Sequence, residues 1–390
     1  MAVRGEYNKA EEKMLADTAA KMETLVGWAK SPMPMVASGE AMKTFGFSND
    51  KWNPMWYDEK YAANTRWGSI VAIPTSVAFG GGAIGEMPAP EECGWQHMVW
   101  IGEDWELFQP VRPGDAFRVW QNVGSVIDKT PADGKSPRTF ELIEGDLTHI
   151  NQKNQIVCTT KNYVERVFMP DGPPKPYTMP EYGYKKEELE YINSIVGQEE
   201  VRGANIRYWE DVSVGDETKP VVTGPTNMST NCIINLGIWG MGEPLPPRVI
   251  FNDAPGNTFS NKFLKDPETG LYYERGGPAG RHWNDREARF QGEPGAFLFA
   301  VVSKYTLLRV LTNWMGDDGF LRRYNWRHIM RTIVGDTIIG HGKVTGKRAE
   351  NGEHLVDLIV WLENMRGNTS EAAAATVRLP SREKPISEFK

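Results

Sequence analysis

Two patterns of apolar residues divide the first half of the chain into a helical part and a part made of strands. Between about residues 9 and 30 apolar side chains recur at near-helical spacing, which predicts an amphipathic helix. A short apolar stretch at Ser69–Phe79 predicts part of a buried helix. After Gly94 apolar and polar residues alternate, and β-branched and aromatic residues are frequent, which predicts strands. These segments are WQHMVWIG, DAFRVWQNVGSVI, RTFELIEGDLTHI and QIVCTTKNYVERVF.

A proline-rich stretch separates the two halves. MPDGPPKPYTMPEY, from Met169 to Tyr182, predicts an extended, semi-rigid linker. A charged helical stretch follows it, and a new globular segment begins near Tyr208. We therefore predict an N-terminal module over residues 1–168, a linker with a connecting helix over residues 169–204, and a C-terminal module over residues 205–390.

The second half repeats the order of the first. An apolar run over Ala296–Trp314 predicts a helix, and the alternating segments TIIGHGKVTG, HLVDLIVWLEN and AAAATVRLP follow it. The turn at Gly335-Asp336 corresponds to the turn at Gly114-Asp115. A helix followed by antiparallel strands, twice over, is typical of the α+β class, with each sheet wrapped around a central helix.

Composition and charge exclude several classes of protein. The net charge of −7 gives no electrostatic footprint for nucleic acid. The basic patch around Arg322 and Arg323 is interpreted as a solvated helix face, with a phosphate-bearing small molecule as the alternative. No stretch approaches the ~18 apolar residues of a membrane span, and the first residues lack the apolar core of a signal peptide. Three widely spaced cysteines suit a reducing compartment, so we expect a cytoplasmic protein.

Two short motifs do not support a cofactor or a metal. Gly80–Gly85 satisfies the GxGxxG pattern of dinucleotide sites, but Pro88 and Pro90 follow it and forbid the helix that such a site needs. Cys93 and His97 have metal-like spacing without a second pair of ligands. We therefore expect neither a cofactor nor a metal.

One stretch of the first half carries a recognisable fingerprint. FSNDKWNPMWYD, at Phe47–Asp58, resembles the hydratase fingerprint of MaoC-like acyl dehydratases, in which Gly-Asp, Asn-Pro and His follow an aromatic and a small residue. One extra residue separates Asp50 from Asn53, Asn49 stands at the usual glycine, and Trp56 occupies the histidine position. The continuation TRWGSIVAIPT resembles the N-terminal module of fatty-acid-synthase-type dehydratases.

The second half carries the same offsets in RHWNDREAR. His282 aligns with Trp56 there, and Asn284 aligns with Asp58. Gly277 stands where the family has an aspartate, five residues before the histidine. The block LTNWMGDDGFLRR also resembles double hot-dog acyl dehydratases.

The resemblance implies a double hot-dog fold and an enzyme that hydrates an enoyl-CoA or dehydrates a 3-hydroxyacyl-CoA. That reaction needs a base for water, an acid for the α-carbon and donors for the thioester oxygen. By the resemblance, the candidate catalytic residues are His282, Asp50 and Asp285. The candidate substrate-binding residues are Asn53, Asn284, Trp56 and Gly295. We hypothesise that Asp50 and His282 share one composite site where the modules meet.

Other interpretations of the same residues stay open. Asp50 with Asn53, and Asn284 with Asp285, could be turn and helix-capping residues, and Trp56 could serve packing alone. Thioester hydrolysis is an alternative reaction, with Asp50 or Asp285 acting without His282. A third alternative is a silent acyl-CoA-binding module or the partner subunit of a hydratase. In each case we expect an acyl-CoA thioester as ligand and a homodimer as the assembly.

Overall fold

The structure is a computed structural model that describes residues 3–28, 36–76, 87, 91–169, 172, 183–231, 262–265, 270, 272–275 and 280–383. Its helices are α1 (Lys9–Thr24), α2 (Gly39–Asn49), α3 (Glu59–Ala63), α4 (Lys186–Val196), α5 (Asp285–Phe290) and α6 (Ala300–Met315). Its first strands are β1 (Gly27–Trp28), β2 (Trp95–Leu107), β3 (Phe117–Gln121), β4 (Ser125–Asp128), β5 (Arg138–Ile143), β6 (Leu147–Asn151) and β7 (Ile156–Met169). The later strands are β8 (Val221–Thr223), β9 (Lys262–Lys265), β10 (Tyr272–Arg275), β11 (Phe320–His328), β12 (Ile338–Glu350), β13 (Glu353–Asn364) and β14 (Thr369–Arg378).

Strands from both halves form one antiparallel sheet in the described part of the chain. Its order is β1-β3-β6-β7-β2-β11-β14-β13-β12-β8, with β5 paired to β7 and to β4. Outward from the junction of β2 and β11, the first half has the order β2-β7-β6-β3 and the second half has the order β11-β14-β13-β12. In each half the first long strand of the chain lies at the junction, and the last strand lies next to it. Each half therefore forms one sheet module, and the predicted antiparallel sheets are confirmed.

Backbone hydrogen bonds repeat between the modules. The Ala72 N–H donates to the Val111 carbonyl at 2.9 Å, and the Leu298 N–H donates to the Thr332 carbonyl at 2.8 Å. Both donors lie in the extended segment that follows a fingerprint, and both acceptors lie just before a Gly-Asp turn. The repeat inferred from sequence offsets is therefore a structural repeat.

The central helix of the second module is α6. Its side chains from Val302 to Leu308 and from Val310 to Met315 are buried. It packs against β8, β11, β12, β13 and β14, and apolar residues of both modules form one core around it. The apolar run Ala296–Trp314 predicted this helix, although residues 296–299 are extended and the helix begins at Ala300.

Three sequence expectations change in the structure. Residues 69–76 contain no helix, because Pro74 disfavours helical geometry at Ile73 and Ala72 pairs with Val111 instead. The N-terminal helix ends at Thr24 rather than near residue 30. Arg322 and Arg323 lie on strand β11 and form ion pairs with Glu353 and Glu106, so the helix-face interpretation is wrong. The proline-rich linker and Gly80–Gly85 lie outside the described residues, apart from Met169 and Gly172.

A buried ion pair lies beneath the junction of the modules. Lys304 on α6 and Glu103 on β2 are 3% and 4% exposed, and their charged atoms are 2.5 Å apart. Glu103 also accepts a hydrogen bond from the indole N–H of Trp105 at 2.7 Å. Burial lowers the pKa of Lys304, and Glu103 opposes that shift. The pair therefore couples the central helix of one module to a strand of the other.

Lys304→Met should destabilise the protein by about 3 kcal/mol or more, because it leaves the Glu103 carboxylate buried without its counter-ion. The double variant Lys304→Met/Glu103→Gln should recover much of this loss, since Gln can still accept from Trp105. Equilibrium denaturation measures both free energies of unfolding. Lys13→Met, in the exposed pair with Asp17, is the control and should change stability by less than about 0.5 kcal/mol. Additive effects of the two core substitutions would contradict the coupling.

Candidate active site

Each fingerprint forms a single 3-10 turn followed by a capped helix. The turns are Pro54–Trp56 and Gly280–His282. The side chain of Asn53 caps the first turn by accepting from the Met55 N–H at 3.1 Å. Asn284 caps α5 by accepting from the N–H groups of Arg286 and Glu287. The capping interpretation therefore accounts for both asparagines, which the resemblance had assigned to substrate binding.

Asp285 fixes the segment that leads into α6. Its Oδ1 accepts from the Ala296 N–H at 2.7 Å. A Cβ at Gly295 would lie 3.1 Å from the same oxygen, so a side chain there would crowd the carboxylate. Both residues therefore hold the backbone at the approach to α6.

His282 lies beside the beginning of α6. Its Nδ1 is 3.0 Å from the Phe297 carbonyl oxygen, and because a carbonyl only accepts, Nδ1 must carry the proton. The ring stacks on Phe299, with centroids 3.8 Å apart and planes inclined by 17°. The fully buried Asn231 donates to the carbonyls of His282 and Phe297. These contacts fix the ring and leave Nε2 as its unprotonated nitrogen.

The surroundings of His282 keep the imidazole neutral. Burial, reinforced by the positive charge of Arg281, lowers its pKa to about 3. The hydrogen bond to the Phe297 carbonyl opposes this shift, and Arg331 reinforces it. The ring is therefore uncharged at physiological pH and can accept a proton at Nε2.

Among the described residues, no side chain caps the N-terminus of α6. Its N-cap is Phe299, which has no side-chain oxygen to bond the first N–H groups. The Phe299 N–H itself donates to Asn231 Oδ1 at 3.1 Å. Ala300 and Val301 are partly buried, and their N–H groups belong to the first turn, where the helix itself supplies no acceptor. An uncapped helix N-terminus of this kind stabilises negative charge on an oxygen.

Sequence reasoning missed Asn231, Phe299 and Ala300. One signal was available, because an aromatic residue stands where a helix normally has Ser, Thr, Asp or Asn as its cap. Asn231 lies 51 residues before His282 in the chain, and only the tertiary structure brings them together.

Asp50 approaches α6 at Arg309, further along the helix than His282 does. It is 3% exposed, its Oδ2 accepts from the Trp56 indole N–H at 3.1 Å, and its Oδ1 is 3.9 Å from Arg309 Nε. Burial raises the pKa of this carboxyl, although Arg309 opposes the shift. Glu199 and Thr223 hold Arg309 from the other side. Trp56 therefore positions Asp50 in this structure.

No contact in the described part of the chain joins Asp50 to His282. His282 contacts Phe299 and Asp50 pairs with Arg309, ten residues further along the helix. At 1.5 Å per residue this is about 15 Å along the axis. The hypothesis of one composite acid–base pair therefore finds no support in the geometry, and the catalytic role of each residue remains a prediction.

A buried cationic cluster adjoins His282 across the module junction. The Arg281 guanidinium is within 3.3 Å of both ring nitrogens of His97, which lies on β2. Arg331 contacts the same ring, and Glu293 pairs with Arg331 at 3.2 Å. Burial and the two arginines lower the pKa of His97 to about 2. His97 had no role in the sequence analysis, and the structure makes it an acceptor that joins the modules.

Among the described residues, no cluster of three or more His, Cys, Asp or Glu side chains is placed to hold a metal ion. Cys93 and Cys158 are buried free thiols, and Cys232 lies outside the described residues. In the same part of the chain, no helix combines the length and apolarity needed to cross a bilayer.

Comparison with known proteins agrees with this architecture. Residues 24–160 match the family model described as "FAS1-like, dehydratase domain region". Over 92% of its length the chain matches 99% of a solved MaoC-like dehydratase, with a TM-score of 0.60 and 16% identity. The chain has the MaoC-like double hot-dog fold. Both the resemblance and the fold class expected from the sequence are thereby confirmed.

Two further solved structures resemble this double hot-dog chain. One is described as a MaoC domain protein dehydratase from Chloroflexus aurantiacus, with a TM-score of 0.53, 14% identity, and coverage of 92% of this chain and 96% of that one. The other is a Mycobacterium tuberculosis protein described as having a double hotdog fold, with a TM-score of 0.49, 10% identity, and coverage of 92% and 97%. No curated protein matches the chain significantly by sequence.

The neutral state of His282 predicts acid sensitivity. Its pKa is about 3 in the folded protein and about 6.5 when unfolded, so protonation favours unfolding. Its contribution to stability is complete above pH 6.5 and is lost as pH falls toward 3, by about 2 kcal/mol at pH 5. His282→Gln should therefore lose less stability than the wild type between pH 7 and pH 5, as measured by urea denaturation. His354→Gln, at a half-buried site against Trp209, is the matched control. An unchanged pH dependence in His282→Gln would contradict the assignment.

Proposed function

We propose that the protein binds acyl-CoA thioesters at the N-terminus of α6 and reversibly hydrates an enoyl-CoA to a 3-hydroxyacyl-CoA. The observation that carries this proposal is the uncapped start of α6 beside a buried, neutral His282. The match of residues 24–160 to a dehydratase region supports the same class of reaction.

The backbone at Ala300 and Val301 would hold the thioester oxygen. During hydration negative charge develops on that oxygen as the β-carbon is attacked. Two N–H groups at a helix N-terminus stabilise such charge without reorganisation. Binding here would place the α- and β-carbons beside the ring that stacks on Phe299.

His282 would move the proton. Nε2 accepts a proton from water as the water oxygen bonds to the β-carbon, and the resulting imidazolium returns a proton to the α-carbon. Dehydration reverses these steps. The Phe297 carbonyl keeps the Nδ1 proton in place throughout.

Thioester binding without turnover is the second candidate function. Burial, Arg281 and Arg331 lower the basicity of His282. Such a base accepts protons weakly, so a protein of this kind could serve as the binding subunit of a hydratase. Hydrolysis is less well supported, because Asp285 is engaged by Ala296 and Asp50 is engaged by Trp56. Assembly as a homodimer remains a proposal.

His282→Ala should lower kcat/KM for hydration by about 10²- to 10⁴-fold, the range typical of a lost general base. Loss of the conjugated-thioester absorbance of a panel of enoyl-CoA substrates measures the rate. Asp50→Asn, measured in the same assay, tests separately whether the Asp50 carboxyl contributes to hydration. His341→Ala, at a partly exposed position on β12, is the matched control and should keep full activity. Binding of the panel without hydration by the wild type would favour the second candidate.

Ala300→Pro should slow hydration strongly while leaving the fold intact. Proline at the first helical position removes one N–H donor but fits the helix, and Phe299 already has ψ 136°, which a following proline requires. We expect a loss of about 10²- to 10³-fold in kcat, the usual effect of losing one oxyanion donor. Lys9→Pro, at the equivalent position of α1, is the control. Full activity of Ala300→Pro would show that the Ala300 N–H does not contact the thioester.

A further inference from the structure

A cavity that the proposed reaction does not use lies along α6. It has a volume of about 410 Å³ and lies between the loop that contains Asp50, the segment from Thr223 to Thr230, and one face of α6. We call it the Asp50 cavity. Hydroxyl, amide and charged side chains predominate in its lining, and these include Ser48, Asp50, Thr223, Thr230, Thr306 and Arg309. Most of these groups already have partners within the protein, among them Ser48, Thr223 and Thr306.

Two buried polar atoms inside the cavity lack hydrogen-bond partners among the described residues. They are Oδ1 of Asp50 and Nε of Arg309. The two atoms are 3.9 Å apart, which is too far for a direct hydrogen bond. Trp56 fixes the carboxylate, and Glu199 with Thr223 fixes the guanidinium, so neither group can move freely to close the gap. An acceptor and a donor are therefore held at a separation that one intervening group could bridge.

A hydroxyl group matches this pair. Its oxygen can lie about 2.9 Å from both atoms, donating its proton to Asp50 and accepting from Arg309. A free anion would be repelled by Asp50 and a free cation by Arg309, so the pair selects a neutral group. The ligand must also contain apolar surface, since Phe47 and Trp52 at the cavity are 57% and 65% exposed.

The cavity extends toward the proposed thioester site. Its lining includes Val302, in the first turn of α6, and Arg309, seven residues further on, which spans about 10 Å. Thr230 in the lining is adjacent to Asn231, which bonds the His282 carbonyl. A substrate held at Ala300 can therefore extend along α6 to the Asp50–Arg309 pair.

We propose that the Asp50 cavity binds a neutral, hydroxyl-bearing segment of the thioester substrate, with the hydroxyl between Asp50 and Arg309. This inference rests on the proposed binding of acyl thioesters. Two sources supply the same chemistry: a hydroxylated acyl chain, or the pantoyl hydroxyl of the coenzyme arm. Asp50 and Arg309 are then binding residues that select the substrate, while His282 acts on the reacting carbons.

Calorimetric binding of saturated thioesters tests the inference without any turnover. The probes are unsubstituted acyl-CoAs and ω-hydroxyacyl-CoAs of six to twelve carbons, together with the corresponding N-acetylcysteamine thioesters, which lack the pantoyl hydroxyl. If the acyl chain supplies the hydroxyl, the wild type should bind one ω-hydroxyacyl length about tenfold more tightly than its unsubstituted counterpart, and Asp50→Asn should lose this preference. If the coenzyme arm supplies it, Asp50→Asn should weaken every CoA thioester about tenfold and leave the N-acetylcysteamine thioesters unchanged.

A second variant keeps the test valid if Asp50→Asn folds poorly. Ser229 is exposed at the edge of the cavity, so Ser229→Trp should obstruct it and weaken the same probes at least about tenfold. Asp146→Asn and Ser125→Trp, at exposed positions of the first module, are the matched controls for lost charge and added bulk.

Two results would overturn the inference in different ways. Wild-type binding that neither Asp50→Asn nor Ser229→Trp alters would reject the Asp50 cavity alone and leave thioester binding at α6 intact. Failure of the wild type to bind any probe would reject thioester binding itself, and this inference with it.

Discussion

The antiparallel pairing of β2 with β11 joins the two modules into one sheet, and the geometry of the candidate site depends on it. Residues 102–106 pair with residues 323–327 at this junction. Gly102 permits the close approach, because a Cβ there would lie 2.4 Å from the Trp326 carbonyl oxygen. Directly beneath, Lys304 and Glu103 are buried together. A buried pair of this kind contributes little net stability, but it strongly disfavours any arrangement that separates its partners.

Because the sheet is continuous, α6 contacts elements of both modules. Glu103 of the first module reaches its middle, and Asp50 reaches Arg309 further along. The fingerprints of the two modules therefore contact the same helix at two positions along its axis. In the second module the fingerprint supplies His282 near the uncapped start of α6, whereas in the first it supplies Asp50, held by Trp56 in the histidine position. The two modules therefore share the backbone geometry of the fingerprint but differ in its functional side chains.

The charged groups around His282 differ in kind from those around Asp50. Burial, together with the charges of Arg281 and Arg331, keeps the rings of His97 and His282 neutral. Near Asp50 one carboxylate and one guanidinium lie slightly too far apart to bond each other. The first arrangement suits a weak base beside developing negative charge, and the second suits recognition of a neutral polar group. The proposed division between reaction and recognition follows from this difference.

The sequence by itself determined many of the strands, the central helix and the repeat. Alternating apolar residues predicted the strands, the offsets around Trp56 and His282 related the two fingerprints, and the run ending at Trp314 predicted the central helix. These signals are local, because periodicity and capping depend on neighbours in the chain. Only the tertiary structure decided which candidates meet. It made Asn53 and Asn284 caps, joined Asp285 to the Ala296 N–H, placed Asp50 and His282 at different points along α6, and brought Asn231 to His282 and His97 to Arg281. These contacts join residues far apart in sequence, and strand pairing and helix packing, which no local pattern encodes, set their distances.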